Sequence, residues 1–216
     1  MSWPSVMMYD AWFAGEEGKL IFQIELAALR SIVKDLPRPW LEVGVGSGRF
    51  AQALGIDLGI DPSEKLLEMA RQRGVSAIRG RGEQLPFADS SFGTAFVIVT
   101  ICFVEDPEPV LRECHRVLRR DSRLVIGFVP QESPWGKHYL EEGQRGHPFY
   151  SHAKFYNLGE VEELLARTSF QLERCSSTLF QSPGQVKGSE EPRKGCDHQA
   201  GFVALLAQKL RTFPKN

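Results

Sequence analysis

Apolar and polar residues follow two different periods along this chain, and together they predict helices alternating with strands. Between residues 15 and 35, apolar side chains recur every three or four positions, as on one face of an amphipathic helix. Pro37 and Pro39 end that pattern, because proline cannot continue a helix. Short apolar stretches then predict strands at 40–43, 58–60, 76–79, 94–100 and 124–129.

Capping residues predict where several helices begin. Asp61 lies directly before Pro62 and is expected to cap the helix that follows. Asn157 and Glu160 have the spacing of a capping box and predict another helix start. The predicted helices cover 15–35, 49–54, 62–74, 107–118 and 158–168.

The stretch 94–100 is apolar at nearly every position. A run of that kind is typical of a strand buried on both faces of a parallel sheet. Strands that alternate with helices therefore predict an α/β fold with right-handed crossovers.

The pattern changes in the C-terminal third of the chain. Residues 130–156 are polar and aromatic without a clear period, and an unstructured segment of that length predicts a lid or a binding loop. Two final strands are expected at 171–180 and 202–208. The residues between them, 182–198, are rich in glycine, proline and charge, which predicts a mobile surface loop.

A glycine-rich turn after the first strand is the strongest chemical signal in the chain. Gly44, Gly46 and Gly48 alternate there, and glycine lets backbone approach a ligand where a Cβ would clash. Asp61 follows the second strand and has the oxygens needed to accept both hydroxyls of a ribose. The spacing differs from the dinucleotide fingerprint and from the phosphate-binding P-loop. These residues therefore predict a nucleoside-binding site that differs from both of those motifs.

Composition narrows the class of protein. The chain has 216 residues, of which 42% are hydrophobic and 25% charged, as expected for one globular domain. A net charge of −1 supplies no basic field for nucleic acid. No apolar run reaches the roughly 18 residues of a membrane span, and the first ten residues lack the regions of a secretion signal.

The cysteines show no spacing typical of a bound metal or of a disulfide framework. Neither feature is therefore expected, and a reduced, cytoplasmic setting fits best. The cysteines are Cys102, Cys114, Cys175 and Cys196.

With these residues in view, the segment 42–48 resembles motif I of the class I methyltransferases that use S-adenosylmethionine. Later blocks at 80–87, 91–92, 106–107 and 111–118 follow the order seen in small-molecule methyltransferases of the ubiquinone/menaquinone type. The resemblance is good over 36–129 and weak in the C-terminal third. It implies a Rossmann-like, doubly wound mixed sheet of seven strands, with the last strand antiparallel and helices on both faces.

The resemblance also implies S-adenosylmethionine as the methyl donor, S-adenosylhomocysteine as the product, and no metal. Glu42 would face the ammonium group of the donor, although an exposed acid at a strand end is the alternative. Asp61 would bind the ribose, although it can also act as a plain helix cap. The residues implied to bind the cofactor are Glu42, Gly44, Val45, Gly46, Gly48, Asp61, Pro62, Ser63, Gly82, Glu83 and Thr100.

No catalytic residue can be chosen from the sequence. Cys102 is either a packed thiol or, as the less favoured reading, a nucleophile. An N-terminal aromatic cluster of Tyr9, Trp12 and Phe13 either folds over the cofactor or packs in the core. The candidates for a general base lie in residues 130–156, where histidine or tyrosine could act. They are His138, His147, His152, Tyr150 and Tyr156.

These observations predict one methyltransferase domain over 1–216 that acts on a small-molecule acceptor, as a monomer or homodimer. A cofactor-binding protein without turnover is the alternative, and a nicotinamide-dependent oxidoreductase is disfavoured by the glycine spacing. The expected parts are an N-terminal cofactor-covering helical segment, a cofactor-binding core, a substrate excursion, and a C-terminal helix with two strands. They cover 1–36, 37–129, 130–156 and 157–216.

Overall fold

A computed structural model describes residues 10–211 of the chain. The described residues form one mixed sheet of eight strands, with helices packed against it. The strands are β1 (Trp40–Val43), β2 (Leu58–Asp61), β3 (Ala77–Arg79), β4 (Phe92–Ile98), β5 (Leu118–Phe128), β6 (Phe170–Thr178), β7 (Arg193–Lys194) and β8 (Phe202–Lys209).

Six α-helices connect or flank the strands within the described range. They are α1 (Glu16–Ile32), α2 (Arg49–Leu54), α3 (Glu64–Gln72), α4 (Pro107–Val117), α5 (Pro134–Gln144) and α6 (Leu158–Arg167). Short 3-10 helices cover Ile101–Phe103 and Tyr150–His152. Within residues 10–211, no helix is long and apolar enough to cross a membrane.

The sheet has the order β3-β2-β1-β4-β5-β8-β6-β7. Strands β1 to β5 run parallel, whereas β8 is antiparallel to both β5 and β6. The chain moves outward from β1 to β3 and then returns to β4 on the other side of β1. In open α/β sheets, ligands bind at such a reversal, outside the carboxyl ends of the strands.

Strand β4 shows how the sheet divides the core. Phe96 and Ile98 belong to a cluster that includes side chains of α1, while Ala95 and Val97 belong to a second cluster with α4 and α6. Successive side chains of a strand point to opposite faces, so both faces of β4 are buried. The expectation of a doubly covered parallel strand is confirmed.

The sheet has one strand more than the seven expected. Strand β7 lies inside the segment predicted to be a mobile loop, and its Lys194 pairs with Ser176 of β6. Glu190 in the same segment accepts a hydrogen bond from the Phe180 backbone nitrogen at 2.7 Å. A two-residue strand has too few positions to show a period in the sequence, so only its pairing reveals it.

The expectation that the chain lacks disulfides is wrong. Cys175 and Cys196 are bonded, with their Cα atoms 5.1 Å apart. The pairing of β6 with β7 brings the two cysteines together, and the Gly195 backbone nitrogen donates to the Cys175 carbonyl at 3.1 Å. The sequence separation of 21 residues carries no local signature of this contact.

The excursion at 130–156 is more regular than its sequence pattern predicts, because it contains α5. Ser133 caps this helix by accepting a hydrogen bond from the Gly136 backbone nitrogen at 3.0 Å. Pro134 follows at the first helical position, where proline is favoured. Trp135 and Tyr139 are buried on one side of α5, which leaves too few apolar positions for a clear period.

Two predicted boundaries also shift. Ser63, not Asp61, caps α3, and its side chain accepts from the Leu66 backbone nitrogen at 3.5 Å. Strand β5 begins at Leu118, six residues before the predicted start at 124, and includes Asp121 at a φ of 58°. A non-glycine residue in the left-handed region is uncommon, which is why the pattern did not predict a continuous strand there.

An ion-pair cluster attaches the N-terminal segment to the glycine-rich turn. Asp10 accepts hydrogen bonds from the Ser47 hydroxyl, from Arg49 at 2.8 Å and from Arg73 at 2.9 Å. Arg73 also donates to the Ser47 carbonyl at 2.7 Å. Burial alone would raise the pKa of Asp10, but the hydrogen bonds from Arg49 and Ser47 outweigh it and hold the pKa below its usual value.

We expect Asp10→Asn to lower the free energy of unfolding at pH 7 by roughly 2 to 4 kcal/mol, because Arg49 and Arg73 lose a largely buried partner. The loss should begin to shrink as the pH falls below about 4, because the unfolded chain then binds a proton that folded Asp10, with its lowered pKa, does not yet bind. Urea unfolding at pH 7 and pH 3.5 measures both effects. Glu163→Gln is the matched control, since Glu163 forms an exposed ion pair with Arg167. An equal effect of both substitutions would contradict the importance of the cluster.

Candidate functional site

A cavity of about 520 Å³ lies at the carboxyl ends of β1, β2 and β4. Its volume falls within the range of small-molecule sites. We call it the cofactor cavity. It is lined by Phe13, Glu42, Gly44, Val45, Gly46, Ser47, Arg49, Phe50, Asp61, Pro62, Ser63, Leu66, Ile98, Val99, Thr100, Phe103, Val104 and Phe149.

The three glycines of the turn are required for different reasons. All three have positive φ, at 78° for Gly44, 52° for Gly46 and 80° for Gly48. A Cβ on Gly44 would collide with the Thr100 side chain, and a Cβ on Gly48 would lie 2.9 Å from the Ala70 Cβ. A Cβ on Gly46 would meet no atom within 4 Å. Gly48 therefore permits α2 to pack on α3, while Gly44 and Gly46 form the surface of the cavity.

Asp61 joins the turn to the start of α3. Its Oδ2 accepts from the Gly46 backbone nitrogen at 3.0 Å, and its Oδ1 accepts from the Ser63 backbone nitrogen at 2.9 Å. Burial raises the pKa of Asp61, and these two hydrogen bonds partly offset the rise. Each carboxylate oxygen can accept more than one hydrogen bond, so capacity remains for a ligand.

Glu42 is the second carboxyl group in the cofactor cavity. Its side chain is buried at the end of β1, and its Oε2 has no hydrogen-bond partner within residues 10–211. Burial and the negative charge of Asp61 raise the pKa of Glu42 well above its usual value. A buried carboxyl oxygen without a partner is costly, and a cationic ligand group would relieve that cost.

The segment after β4 forms the opposite wall of the cofactor cavity. Val99 has a φ of 49°, which is a strained conformation for a β-branched residue. Its backbone nitrogen donates to the Gly127 carbonyl at 2.7 Å, which holds the bend in place. The Thr100 hydroxyl donates to the Ile98 carbonyl at 2.9 Å. This bend directs the chain around the cavity.

The structure brings together eight of the eleven residues predicted to bind the cofactor, and three lie elsewhere. Gly48 is the last glycine of the turn, and it packs against Ala70 of α3 without lining the cavity. A Cβ on Gly82 would meet Val43 at 2.8 Å, so this glycine serves close packing. Glu83 forms an ion pair with Arg81 at 3.2 Å. The binding roles of all eleven residues remain predictions.

A second, much smaller cavity of about 40 Å³ adjoins the cofactor cavity. We call it the inner cavity. Phe13, Val99, Phe103 and Phe149 line both cavities. Nearly all of its other lining residues are apolar or aromatic, and they come from the N-terminal segment, α1, the segment after β4, the end of β5 and the residues 130–156. They are Trp12, Glu25, Ile101, Cys102, Phe128, Val129, Tyr139, Tyr150, Phe155 and Tyr156.

Glu25 is the exception in this apolar surface, and the sequence analysis did not identify it. It lies on α1 and is 6% exposed, and its Oε2 lacks a hydrogen-bond partner in the described part of the chain. Burial raises the pKa of Glu25 to about 8. The signal available in the sequence was an acid beside Ile21, Ile24 and Leu29 on the apolar face of the helix.

The residues predicted as general bases separate into three groups. Tyr150 and Tyr156 line the inner cavity, and the Tyr156 hydroxyl has no hydrogen-bond partner among residues 10–211. His138 and His147 line an outer cavity of about 330 Å³. His152 lines none of the three cavities.

The structure places Cys102 and two of the three N-terminal aromatic residues at the cavities. Burial raises the pKa of the Cys102 thiol to about 12, so the thiol stays protonated near neutral pH and is a poor nucleophile. Trp12 and Phe13 line the inner cavity, and Phe13 also lines the cofactor cavity. Tyr9 lies outside the described residues. Across 10–211, no group of three or more metal-binding side chains is arranged to hold a metal ion.

Several known proteins are similar to this chain. The model of the family described as "Methyltransferase domain" matches residues 41–126. A crystal structure from Thermotoga maritima superposes with a TM-score of 0.87 at 34% identity, covering 94% of this chain and 95% of that chain. That protein is described as an S-adenosylmethionine-dependent methyltransferase and a possible histamine N-methyltransferase.

Two curated proteins extend the comparison. The demethylmenaquinone methyltransferase of Thermotoga maritima is 38% identical over 42% of this chain and 43% of its own length. A protein of Mycobacterium tuberculosis, named only as uncharacterized, is 41% identical over 96% of this chain and 73% of its own length. The similarity to the mycobacterial protein thus extends beyond the glycine-rich core to nearly the whole chain.

The raised pKa of Glu25 predicts a pH-dependent stability. The folded state holds the Glu25 proton more tightly than the unfolded chain, so stability should fall as the pH rises from about 5 to about 8. Glu25→Gln lacks this proton, so its free energy of unfolding relative to that of wild type should rise by roughly 3 to 5 kcal/mol over that range.

Urea unfolding at pH 5 and pH 8.5 tests this expectation. Glu141→Gln is the control, because the Glu141 side chain is 62% exposed and water solvates its charge. The difference in unfolding free energy between Glu141→Gln and wild type should be the same at both pH values. If the difference between Glu25→Gln and wild type is also the same at both, the pKa of Glu25 is not raised by burial.

Proposed function

This chain belongs to the class I S-adenosylmethionine-dependent methyltransferases, and on that premise we propose that it transfers a methyl group to a small-molecule acceptor by in-line displacement. The observation that carries the proposal is the pair of buried carboxyl groups, Glu42 and Asp61, in one cavity at the reversal of the sheet. The two groups match the ammonium group and the ribose of a single ligand.

The residues present fit S-adenosylmethionine. The unpartnered Oε2 of Glu42 would accept hydrogen bonds from the ammonium group of the donor, and the remaining lone pairs of Asp61 would accept the ribose hydroxyls. Gly46, where no side chain occupies the cavity, would let the amino acid portion approach the backbone. Pro62, Ser63, Val45 and Thr100 would complete the walls.

The donor supplies a methyl group on a positively charged sulfur, which is a good leaving group. The protein therefore has to hold the acceptor atom close to that methyl group and in line with the carbon–sulfur bond. Phe13, Phe103 and Phe149 line both the cofactor cavity and the inner cavity, so they would form the boundary at which donor and acceptor meet. Their apolar rings would also exclude water from the reacting atoms.

The acceptor is proposed to be a small molecule because the cavities beside the cofactor cavity are narrow. The inner and outer cavities measure about 40 and 330 Å³. The net charge of −1 gives no general attraction for a nucleic acid phosphate backbone. A small aromatic or apolar molecule fits this lining better than a polymer does.

We expect wild-type protein to bind S-adenosylmethionine and S-adenosylhomocysteine with micromolar dissociation constants and to show no measurable binding of NAD. Asp61→Ala should weaken binding of both adenosyl compounds at least about 30-fold, since it removes a charge-assisted pair of hydrogen bonds. Glu42→Gln should weaken it about tenfold, since the amide keeps an acceptor but loses the charge. Isothermal titration calorimetry at pH 7.5 measures all of these values.

Asp57→Asn is the control for Asp61, because Asp57 precedes the other end of β2 and pairs with Arg38 outside the cavity. It should bind both adenosyl compounds like wild type. If wild type binds neither compound, the proposed function fails. If it binds both tightly but transfers no methyl group to any acceptor, the protein is a cofactor-binding protein without turnover.

A further inference from the structure

The inner cavity combines a buried acid with aromatic walls, and no basic side chain of the described residues lines it to pair with the ionised acid. Glu25 is 6% exposed with an unpartnered Oε2, and no lysine, arginine or histidine of residues 10–211 lines the cavity. Leaving a buried carboxylate uncompensated is expensive. The arrangement is therefore suited to a ligand that carries the missing positive charge.

We propose that the methyl acceptor is a basic amine whose nitrogen is held in the inner cavity by Glu25, and that Glu25 takes up the proton which that nitrogen must lose. This inference rests on the proposed methyl transfer and adds the class of acceptor and the residue that recognises it.

The aromatic side chains around Glu25 support a cationic ligand independently of the acid. Trp12, Phe13, Tyr139 and Tyr150 all line the inner cavity. The faces of such rings attract ammonium groups through the cation–π interaction. The unpartnered Tyr156 hydroxyl adds an oxygen that can accept a hydrogen bond from an N–H group. Once Glu25 is ionised, a neutral alcohol would leave its charge uncompensated, and an acid would be repelled.

The sizes of the two cavities indicate where each part of the amine would lie: the ammonium group in the inner cavity and the rest of the molecule in the outer cavity. The inner cavity, at about 40 Å³, has room for a group of about the size of a water molecule or an ammonium group. The outer cavity, at about 330 Å³, shares Trp12, Tyr139, Phe149 and Tyr150 with it. The body of the amine would lie there.

The outer cavity, like the inner one, is lined by acidic and aromatic side chains. Glu17 and Glu142 line it together with the aromatic residues, and the Glu17 Oε1 lacks a partner within the described range. His138 and His147 are the other titratable groups there besides the tyrosines. A cation that enters by this route would pass acidic side chains before it reaches Glu25.

The position of the inner cavity allows the transfer step. Phe103 and Val99 line both this cavity and the cofactor cavity, so the amine nitrogen would face the donor's methyl group. Glu25 first accepts a proton from the bound ammonium group, which frees the nitrogen lone pair. The lone pair then bonds to the methyl carbon while the carbon–sulfur bond breaks and its electrons remain on sulfur. The methylated amine leaves as a cation, and Glu25 returns its proton to water.

The titratable groups that line the inner cavity besides Glu25 are Cys102, Tyr139, Tyr150 and Tyr156. Burial raises the pKa of Glu25 to about 8, that of Cys102 to about 12, and that of Tyr150 above its usual value. Glu25 thus gains its charge as the pH rises through about 8, within the range where a general base works well. Affinity for an ammonium group should rise over the same interval.

Three probes of one shape test the proposal: 2-phenylethylamine, 2-phenylethanol and 3-phenylpropionate, each titrated into the protein saturated with S-adenosylhomocysteine. The amine should bind at least about tenfold more tightly than the alcohol at pH 8, and the acid should not bind. Between pH 6 and pH 8, amine affinity should rise at least about tenfold. Tritiated S-adenosylmethionine should label the amine alone.

Glu25→Gln is the main variant, because it preserves shape and removes the charge. It should lower amine affinity at least about tenfold, abolish its rise with pH, and lower the transfer rate at least about 100-fold. Binding of the alcohol should not change. Tyr156→Phe should weaken amine binding by a smaller factor. Glu132→Gln is the matched control, since Glu132 also has a buried unpartnered oxygen but lines none of the three cavities.

Binding of the two adenosyl compounds separates failure of this inference from failure of the proposed function. If Glu25→Gln weakens S-adenosylmethionine but not S-adenosylhomocysteine, Glu25 faces the donor's sulfur and the assignment to the acceptor is wrong. Equal affinities for amine and alcohol, or an unchanged amine affinity in Glu25→Gln, also overturn it. If wild type binds neither adenosyl compound, the methyl-transfer proposal itself is rejected.

Discussion

The carboxylate of Asp61 is the contact on which the candidate site depends. One oxygen accepts from Gly46 of the turn after β1, and the other accepts from Ser63 at the start of α3. The turn and the helix are thus fixed relative to each other at the edge of the sheet. Glycine is conformationally permissive, so this contact and the hydrogen bond from the Gly44 backbone nitrogen to the Ile60 carbonyl at 2.8 Å both restrict the turn to one shape.

Two further acids give the site its electrostatic character. Glu42 and Glu25 are each buried with an oxygen that lacks a partner in the described residues, and burial raises the pKa of both. Buried carboxyl groups reduce stability unless a ligand compensates them. The protein therefore gives up folding free energy at two adjacent positions, as is common where residues are arranged for binding rather than for packing.

The two acids differ in their surroundings, and the difference underlies the separate roles proposed for them. Glu42 lies among backbone groups of the turn and beside Asp61, in a cavity with a polar wall. Glu25 lies among aromatic rings contributed by parts of the chain far apart in sequence. The Asp10 cluster attaches the N-terminal segment to the turn, which places Phe13 at both cavities and Trp12 at the inner cavity. The aromatic wall thus depends on an ion pair formed at the polar side of the site.

Local chemistry explains what could be predicted from the sequence. The alternation of strands and helices, the glycine turn, the buried run at β4 and the position of Asp61 at the end of β2 all follow from neighbouring residues. The family resemblance drawn from the same residues is confirmed by the comparisons. Gly82 was predicted in the site because its block resembles a family motif, yet its neighbours in the fold are Val43 and Val110.

Other features were decided by the tertiary structure alone. The bond between Cys175 and Cys196, the strand at 193–194 and the assembly of the inner cavity require segments distant in sequence to meet. Glu25 shows the physical reason most clearly. Its position on an apolar helix face is visible in the sequence. Its effect on stability and its ability to bind a ligand depend on the residues that surround it in the fold. Periodicity reports which side of a helix is buried, whereas only packing determines which groups meet there and whether a charge finds a partner.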